Sequence, residues 1–487
     1  MEKSLLLTDL YELTMIQAWM EEGRQDTEAS FDLIFRKNPF SGGYTIAAGI
    51  EDLVAFLCKC SFTAAHIKYL SSLNLFTEEF LDLLINWKFK GKVYSVPEGT
   101  PVFPNEPFIR IEGPLWSVQL IETVVLNLIN FQSLIATKAS RVCNIAGWNT
   151  VLEFGARRAQ GQDGALSASK AAFLGGCAST SNLYAGLKYG IPVSGTHAHS
   201  FVMAARDEIR AFRQYSMVYP DKSTLLIDTY DPIKKGLPHA IEVAKEMEAC
   251  GKQLSAIRID SGNIISISKT ARTMLDEAGL SYVKIIASGD LDEYRILAIK
   301  EENAPVDLFG VGTRLVTGYP DSALGGVYKL SAICNKDGLW EGRLKTTADS
   351  EKSTLPGKKQ IWRAYSNDWE MIGDYIELES IDETGQIIDN KFQDFGEWGK
   401  IEKDIARVEP LVQLHMENGL NKVDPLSLTI KRENVIQWCG RIPNEMKRLH
   451  NPEIYPVLKG PNLQKLTKKI LMENYGENQY YHSSLCR

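Results

Sequence analysis

AIRIDSGN (256–263), VKIIASGDLDEYRILAIK (283–300) and DLFGVGTR (307–314) repeat one rhythm: a short apolar run, an end rich in Asp, Ser or Gly, and in the middle case a helical segment directly after it. The rhythm extends back to 151. Apolar runs at 151–154, 191–193, 224–227, 256–259, 283–286 and 307–311 are separated by helical segments such as 233–249 and 264–278. Runs that are apolar without alternation suit strands buried on both faces. Strand, helix, strand at this spacing predicts parallel strands joined by crossover helices. The six units fall short of a closed eight-stranded barrel, so an irregular, incomplete α/β barrel is preferred to an open doubly wound sheet.

Each run ends in polar or small residues. The first is followed by Gly155, Arg157 and Arg158, and the second by Thr196, His197, His199 and Ser200. The third ends in Asp228 and Asp231, and the fourth in Asp260, Ser261 and Gly262, with Arg258 just inside it. The fifth gives Ser288, Gly289 and Asp290, and the sixth Gly310, Gly312 and Thr313. In both candidate architectures ligands bind at the carboxyl ends of the strands. Ser288-Gly289-Asp290 ahead of a helical segment leaves backbone N–H groups free for a phosphate, and the Gly310–Thr313 turn offers a second close approach. Asp228, Asp231 and Asp260 suit Mg²⁺ or ribose hydroxyls. Asp231 before Pro232 equally suits a helix N-cap. Arg157, Arg158 and Arg258 supply the bidentate partner of phosphate or carboxylate. Arg258, lodged in an apolar strand, is hard to explain as a surface charge. His197 and His199, two apart in extended chain, point to opposite faces, so one of them faces the site as metal ligand, acid/base or nucleophile. These ends together describe an enzyme acting on a phosphorylated small molecule.

The rest of the chain surrounds this segment. Residues 1–145 carry a helix over 5–22 with Thr8 as N-cap and helical patterns at 47–60 and 63–88. Short strands and tight turns follow in GKVYSVPEGTPVFPNEPFIRIEGP (91–114), then a helix over 115–146. Past the central segment (146–325), GGVYKLSAIC (325–334), GLWEGRLKTT (338–347) and KKQIWRAY (358–365) read as strands, and NYGENQYYHSSLCR (474–487) as a polar tail or irregular cap. The region 326–487 is expected to pack back on the N-terminal part, since neither has an obvious complete core of its own. A chain of 487 residues is too long for one core. Its net charge of -7 argues against a general nucleic-acid binder. The N-terminus lacks a signal-peptide core, and the apolar runs are shorter than the roughly 20 residues of a membrane span. Eight cysteines without a CxxC pair read as reduced cytosolic thiols rather than a zinc site, so a cytoplasmic protein is expected.

LLTDLYELTM (6–15), LEFGARRAQG (152–161), SGTHAHSFVMA (194–204), IDTYD (227–231), IRIDSGN (257–263), ASGDLDEYRI (287–296) and FGVGTRLVTG (309–318) resemble, in order and spacing, the nicotinate phosphoribosyltransferases. PGKKQIWR (356–363) is similar to a later basic loop of that family. The likeness spans roughly residues 5 to 365. It implies an irregular α/β barrel with an N-terminal α/β sandwich domain that the C-terminal region completes. It also implies transfer of phosphoribosyl from phosphoribosyl diphosphate to nicotinate, giving nicotinate mononucleotide and diphosphate. ATP hydrolysis through a phosphohistidine would be coupled to this, as the first step of NAD salvage from nicotinate, in a Mg²⁺-dependent homodimer with a shared active site. Residue by residue, the resemblance makes His199 the phosphohistidine and Thr196 and Arg258 the holders of the nicotinate carboxylate. Phe154 stacks on the pyridine ring, and Tyr11 covers its other face from the second subunit. Arg157 takes diphosphate or ribose phosphate, and Asp231 and Asp260 serve ribose or Mg²⁺. Ser288, Gly289, Gly312 and Thr313 cradle the 5'-phosphate. Asn263 stands where many members have Asp, which puts a metal or ribose role for it in doubt.

Overall fold

The apolar runs of the central segment form one parallel sheet. In the computed structural model, which describes residues 4–345, 354–379 and 405–475, its strands are β1 (Val151–Glu153), β2 (Ser179–Thr180), β3 (Thr224–Leu226), β4 (Ala256–Ile259), β5 (Lys284–Ser288) and β6 (Leu308–Val311). They lie side by side in the order β2-β1-β6-β5-β4-β3, with every pairing parallel. The connections include helices Gly161–Leu174, Leu237–Ala249, Ile264–Glu277 and Glu293–Glu301. One expected strand is replaced. The run at 191–193 forms no regular strand; Val193 makes an isolated parallel bridge to Thr180 of β2, a pair of residues whose own apolar signal is too short to read. Beyond it, Thr196 donates its hydroxyl to the Thr224 carbonyl of β3 (2.8 Å), and the Leu226 N–H donates to His197 Nε2 (3.2 Å). Residues 193–197 therefore touch both edge strands without a continuous ladder.

The chain divides into two compact units. Residues 135–322 with 428–436 form the unit just described; residues 1–134, 323–427 and 437–487 form the other. In that second group, N- and C-terminal strands share one antiparallel sheet of seven. Glu28–Phe35 pairs on one side with Ile109–Pro114 and on the other with Gly326–Cys334, and Lys92–Ser95 pairs with Gln413–Glu417. A four-stranded sheet contains Lys359–Tyr365 and Met371–Leu378. This is an α/β sandwich that needs both ends of the chain, because neither end alone supplies the neighbouring strands.

Several local expectations change. The helix expected over 5–22 spans Leu10–Glu21, and Asp9 rather than Thr8 holds the N-cap position. Thr8 instead hydrogen-bonds the Glu12 carboxylate through its hydroxyl. The pattern at 63–88 is two helices, Ala64–Ser72 and Glu78–Ile85, each with a threonine cap, Thr63 and Thr77. Asn74 at φ 54° breaks the chain between them, a turn that apolar spacing does not register. The span 115–146 is likewise split into Leu115–Gln119 and Glu122–Ala146. By length and composition alone Leu115–Ala146 is apolar enough to cross a membrane, contrary to the expectation from the apolar runs, but 67% of its most apolar window is buried inside the protein, as in a core helix. The stretch 474–487 lies almost wholly outside the described residues, as do 346–347.

Of the basic stretch 356–363, residues 356–358 are irregular and the rest belongs to the strand Lys359–Tyr365, close to the strand expected over 358–365. Lys359 pairs with Asp32 (2.7 Å), Lys358 with Glu112 (3.3 Å) and Arg363 with Asp374 (2.5 Å), so its charges are matched within the sandwich unit. Asp374 also accepts from the Tyr455 hydroxyl (2.8 Å). Glu106 lies wholly buried against it, accepting the Phe103 N–H (2.8 Å). Burial first, and then the charge of Asp374, push the Glu106 carboxyl well above its ordinary range, so it holds a proton. A native carboxyl with a raised pKa keeps a proton that the unfolded chain releases, so its stabilising contribution is lost as pH rises from the unfolded value towards the folded one. Glu106→Gln preserves the shape and a donor. It is expected to match the parent in urea unfolding at mildly acidic pH and to exceed it by about 1 kcal/mol at pH 8. Parallel pH dependence of parent and variant would refute the assignment.

Candidate active site

A cleft of about 280 Å³ opens at the carboxyl ends of the parallel strands. Its floor is one hydrogen-bonded group. Arg258, the third residue of β4, donates through Nε to Ser288 Oγ (2.8 Å) and through Nη2 to Asp260 Oδ1 (2.6 Å). Ser288 in turn donates to the same Asp260 oxygen (2.5 Å). Pairing explains how an arginine survives in an apolar strand: its charge is matched and two of its donors are used. Burial works to raise the Asp260 carboxyl, but the hydrogen bonds from Ser288 and Arg258, with the charges of Arg258 and His199, hold it below its ordinary value. Beneath it, buried Asp228 accepts the Asp260 N–H (3.0 Å) and the Ser261 hydroxyl (2.6 Å), so it supports the loop rather than lining the cleft.

One wall belongs to the loop after β1. The Phe154 ring lies beside Gly310, where a Cβ would meet it at 2.7 Å, and its centroid is 5.8 Å from the Arg258 guanidinium carbon. Arg157 and Arg158, on the turn Ala156–Arg158, are exposed and make no ion pair among the described residues. Glu153, at the end of β1, was not singled out by sequence reasoning. It is fully buried and accepts hydrogen bonds from the Gly155 N–H, the Ser169 hydroxyl (2.9 Å) and the Thr180 hydroxyl (2.5 Å). A buried carboxylate held by three donors fixes the start of the loop that carries Phe154 and Arg157.

Two further loops, after β5 and β6, line the cleft. Gly289 has φ +92°, and a Cβ there would lie 1.9 Å from the Asp260 carbonyl oxygen. At Gly312 a Cβ would sit 3.1 Å from the Phe154 carbonyl. The N–H groups of Gly289, Asp290, Gly312 and Thr313 donate to no acceptor among the described residues. Bare, adjacent backbone donors of this kind are suited to anionic oxygen. The Ser288 hydroxyl is already spent on Asp260, so Ser288 contributes to these loops through position rather than through a free hydroxyl.

The two histidines have different surroundings, and it is His197 rather than the expected His199 that lines the cleft. His197 is buried among Phe201, Phe212 and Tyr215, with Nε2 accepting a backbone N–H; burial lowers its pKa to about 4, so it is neutral. His199 begins the short helix His199–Ala204 and is 38% exposed in its side chain. Its Nδ1 lies 3.2 Å from Thr229 Oγ1 and its Nε2 3.9 Å from Asp260 Oδ2. Thr229 thus stands beside Nδ1, and Nε2 is the ring nitrogen turned towards Asp260.

Three expected site residues fall elsewhere or are partly committed. Asp231 caps the wide turn Pro232–Gly236, accepting from Ile233 N–H (3.0 Å) and Lys234 N–H (2.8 Å), which lower its pKa; it does not line the cleft. Thr196 lines the cleft, but its hydroxyl proton is given to Thr224. Tyr11 belongs to the sandwich unit, on helix Leu10–Glu21, and is 46% exposed. Asn263, whose role the sequence left in doubt, is an N-cap accepting from Ser266 N–H (3.1 Å). Among the described residues no group of three or more His, Cys, Asp or Glu is placed to hold a metal ion.

A parallel α/β sheet with a basic, amide-lined cleft at its carboxyl ends defines an enzyme of the class that handles phosphorylated ligands. Comparison with known proteins narrows this. The nicotinate phosphoribosyltransferase (NAPRTase) family matches residues 150–366, its N-terminal domain residues 6–130 and its C-terminal domain residues 358–467. The Bacillus subtilis nicotinate phosphoribosyltransferase is 40% identical over 457 residues, covering 93% of this chain and 92% of its own length. A Mycobacterium tuberculosis nicotinate phosphoribosyltransferase is 44% identical over 360 residues, 74% of this chain and 75% of its own. The crystal structure of human nicotinic acid phosphoribosyltransferase superposes with a TM-score of 0.77 at 29% identity, covering 95% of this chain and 99% of that one. The chain belongs to the nicotinate phosphoribosyltransferase family.

Proposed function

We propose that this chain transfers the phosphoribosyl group of 5-phosphoribosyl 1-diphosphate to nicotinate, releasing diphosphate and forming nicotinate mononucleotide. The observation that carries this reading is one cleft that brings together the Arg258–Asp260–Ser288 floor, the Phe154 ring and two loops of bare backbone donors. The pyridine ring would lie on Phe154, with its carboxylate towards the unused Nη1 of Arg258. Thr196 can help only by releasing Thr224. The 5'-phosphate would take the amides of Gly289, Gly312 and Thr313, and Arg157 would meet the diphosphate. Breaking the C1–O bond leaves an oxocarbenium-like sugar and a departing polyanion, so fixed positive groups and an in-line ring nitrogen lower the barrier.

The same reading includes ATP hydrolysis through His199, Mg²⁺, a homodimer that brings Tyr11 to the ring, and action as a glycosyltransferase of ligase type in the cytoplasm, opening NAD salvage from nicotinate. In the ATP step Nε2 bonds to the γ-phosphorus as its bond to the bridging oxygen breaks and ADP leaves; water later takes the phosphoryl group back off the ring. Thr229 Oγ1, 3.2 Å from Nδ1, would accept the Nδ1–H hydrogen bond in that step. A phosphoryl group on Nε2 would sit beside the Asp260 carboxylate, whose charge Arg258 already partly matches, and a cation there would offset the remaining repulsion. Of the two aspartates, Asp260 with its second oxygen fits that need; Asp231, spent on a cap, does not. Mg²⁺ would take most of its ligands from phosphate and water and neutralise the polyanion.

The deciding assay is incubation with phosphoribosyl diphosphate, ATP and either nicotinate or nicotinamide, with the product identified by mass. Nicotinate mononucleotide is expected; equal or better turnover of nicotinamide would overturn the substrate assignment. For the ATP step, γ-labelled ATP with Mg²⁺ is expected to label histidine in the parent and to leave His199→Ala unlabelled. Label retained in that variant would remove His199 from the proposal.

A further inference from the structure

The two loops of bare amides must stand at a fixed separation if one phosphate is to bridge them, and pairing between their own two strands, β5 and β6, ends at Ser288 and Gly310, before either loop begins. A link between the two loops is made by side chains outside the cleft lining. Asp292 is 2% exposed and caps helix Glu293–Glu301, with Oδ1 accepting the Arg295 N–H (2.9 Å). Its other oxygen accepts from Arg314 Nη1, and Arg314 follows Thr313 directly. The Arg314 guanidinium is also steadied by the Tyr319 ring, 4.9 Å away. On its far side the first loop is anchored through the neighbouring Glu293, fully buried, which pairs with Lys138 (2.5 Å) and Arg141 (3.1 Å). One loop is therefore held to a core helix through Glu293 and to the second loop through Asp292.

We propose that the Asp292–Arg314 pair is the positioning element that sets the spacing of the two phosphate-facing loops, and so determines affinity for the 5'-phosphate of a ribose phosphate without touching it. The inference rests on the phosphoribosyl reading given above. The rival role for Arg314, direct contact with phosphate, makes the opposite prediction for its partner. A direct ligand released from Asp292 would bind the anion more tightly, whereas a broken strut binds it less tightly.

The test uses Asp292→Asn, which keeps an N-cap acceptor and loses the charge, together with Arg314→Gln and the double variant. Calorimetric binding of ribose 5-phosphate is measured on the full chain alongside steady-state kinetics. Each single variant is expected to weaken ribose 5-phosphate binding and raise KM for phosphoribosyl diphosphate by about tenfold, as loss of a charge-assisted hydrogen bond would. KM for nicotinate should stay unchanged, and the double variant should be no worse than the weaker single one. Arg314→Lys, which keeps the charge, should recover part of the loss. Tighter or unchanged binding in Asp292→Asn beside weaker binding in Arg314→Gln would make Arg314 a ligand and overturn the strut. Lowered Tm with unchanged ribose 5-phosphate affinity would overturn it too, as a purely structural pair. Failure of the parent chain itself to bind ribose 5-phosphate would sink the phosphoribosyl reading; parent binding with indifferent variants would sink only the strut.

Discussion

Arg258→Ala is expected to lower kcat/KM for nicotinate by about a hundred- to a thousandfold, the scale seen when a fixed electrostatic partner is removed from a water-poor site. Two losses combine. The guanidinium that would meet the nicotinate carboxylate disappears, and Asp260 is left with Ser288 as its remaining side-chain donor. Without the Arg258 charge one of the influences holding the Asp260 carboxyl low is gone, so its pKa should rise and the acid limb of the pH–rate profile should shift upward. Arg258→Lys should not restore the parent, since one ammonium cannot reproduce the fork that serves Ser288 and Asp260 while leaving Nη1 for the substrate. Initial rates over a nicotinate series, compared across pH, check both parts. A variant with parent-like KM for nicotinate and an unshifted profile would mean that Arg258 is only a strand-end ion pair.

Gly289→Ala should be the most damaging small substitution in the cleft. Its backbone has φ +92°, and the added carbon would lie 1.9 Å from the Asp260 carbonyl oxygen, so backbone must move. The movement falls on the residue that carries the Asp260 carboxylate and on the loop of free amides. A loss of about 2–4 kcal/mol in unfolding free energy is expected, with KM for phosphoribosyl diphosphate raised in whatever fraction folds. Gly195→Ala is the internal control: Gly195 lines the same cleft, but a Cβ there meets nothing within 4 Å. That variant should stay within about 0.5 kcal/mol of the parent. Urea unfolding of the two side by side decides the matter, and equal stability of the two variants would refute the packing argument.

These effects differ in how far they could be read in advance. Arg258 stands out in the sequence because a charge inside Ala-Ile-Arg-Ile demands a partner. The glycine at 289 reads as a turn, but the oxygen it must avoid belongs to the loop after a different strand, nearly thirty residues earlier. The choice between His197 and His199 could be narrowed to one by extended-chain geometry, but not made. The structure sets Phe201, Phe212 and Tyr215 around the first ring, which still lines the cleft, and Thr229 and Asp260 near the second. Glu153 gave no signal at all, since one glutamate at a strand end looks like any other until Ser169 and Thr180 are seen to converge on it. The charges of 356–363 are likewise silent in the sequence about their partners, since Asp32, Glu112 and Asp374 come from other strands.

The polar ends of the central strands were determined by the sequence alone, because strand periodicity and the residues just after a strand are local properties carried by a few consecutive side chains. So were the parallel α/β class and the motif order that marks the family. Tertiary structure alone decided what each polar end does. Asp231 became a cap and Asp260 the counter-charge of Arg258, and 193–197 became an irregular link in place of a strand. The physical reason is that an ionisable side chain's role is set by which donor or charge reaches it within about 4 Å, and those partners come from segments far apart in the chain.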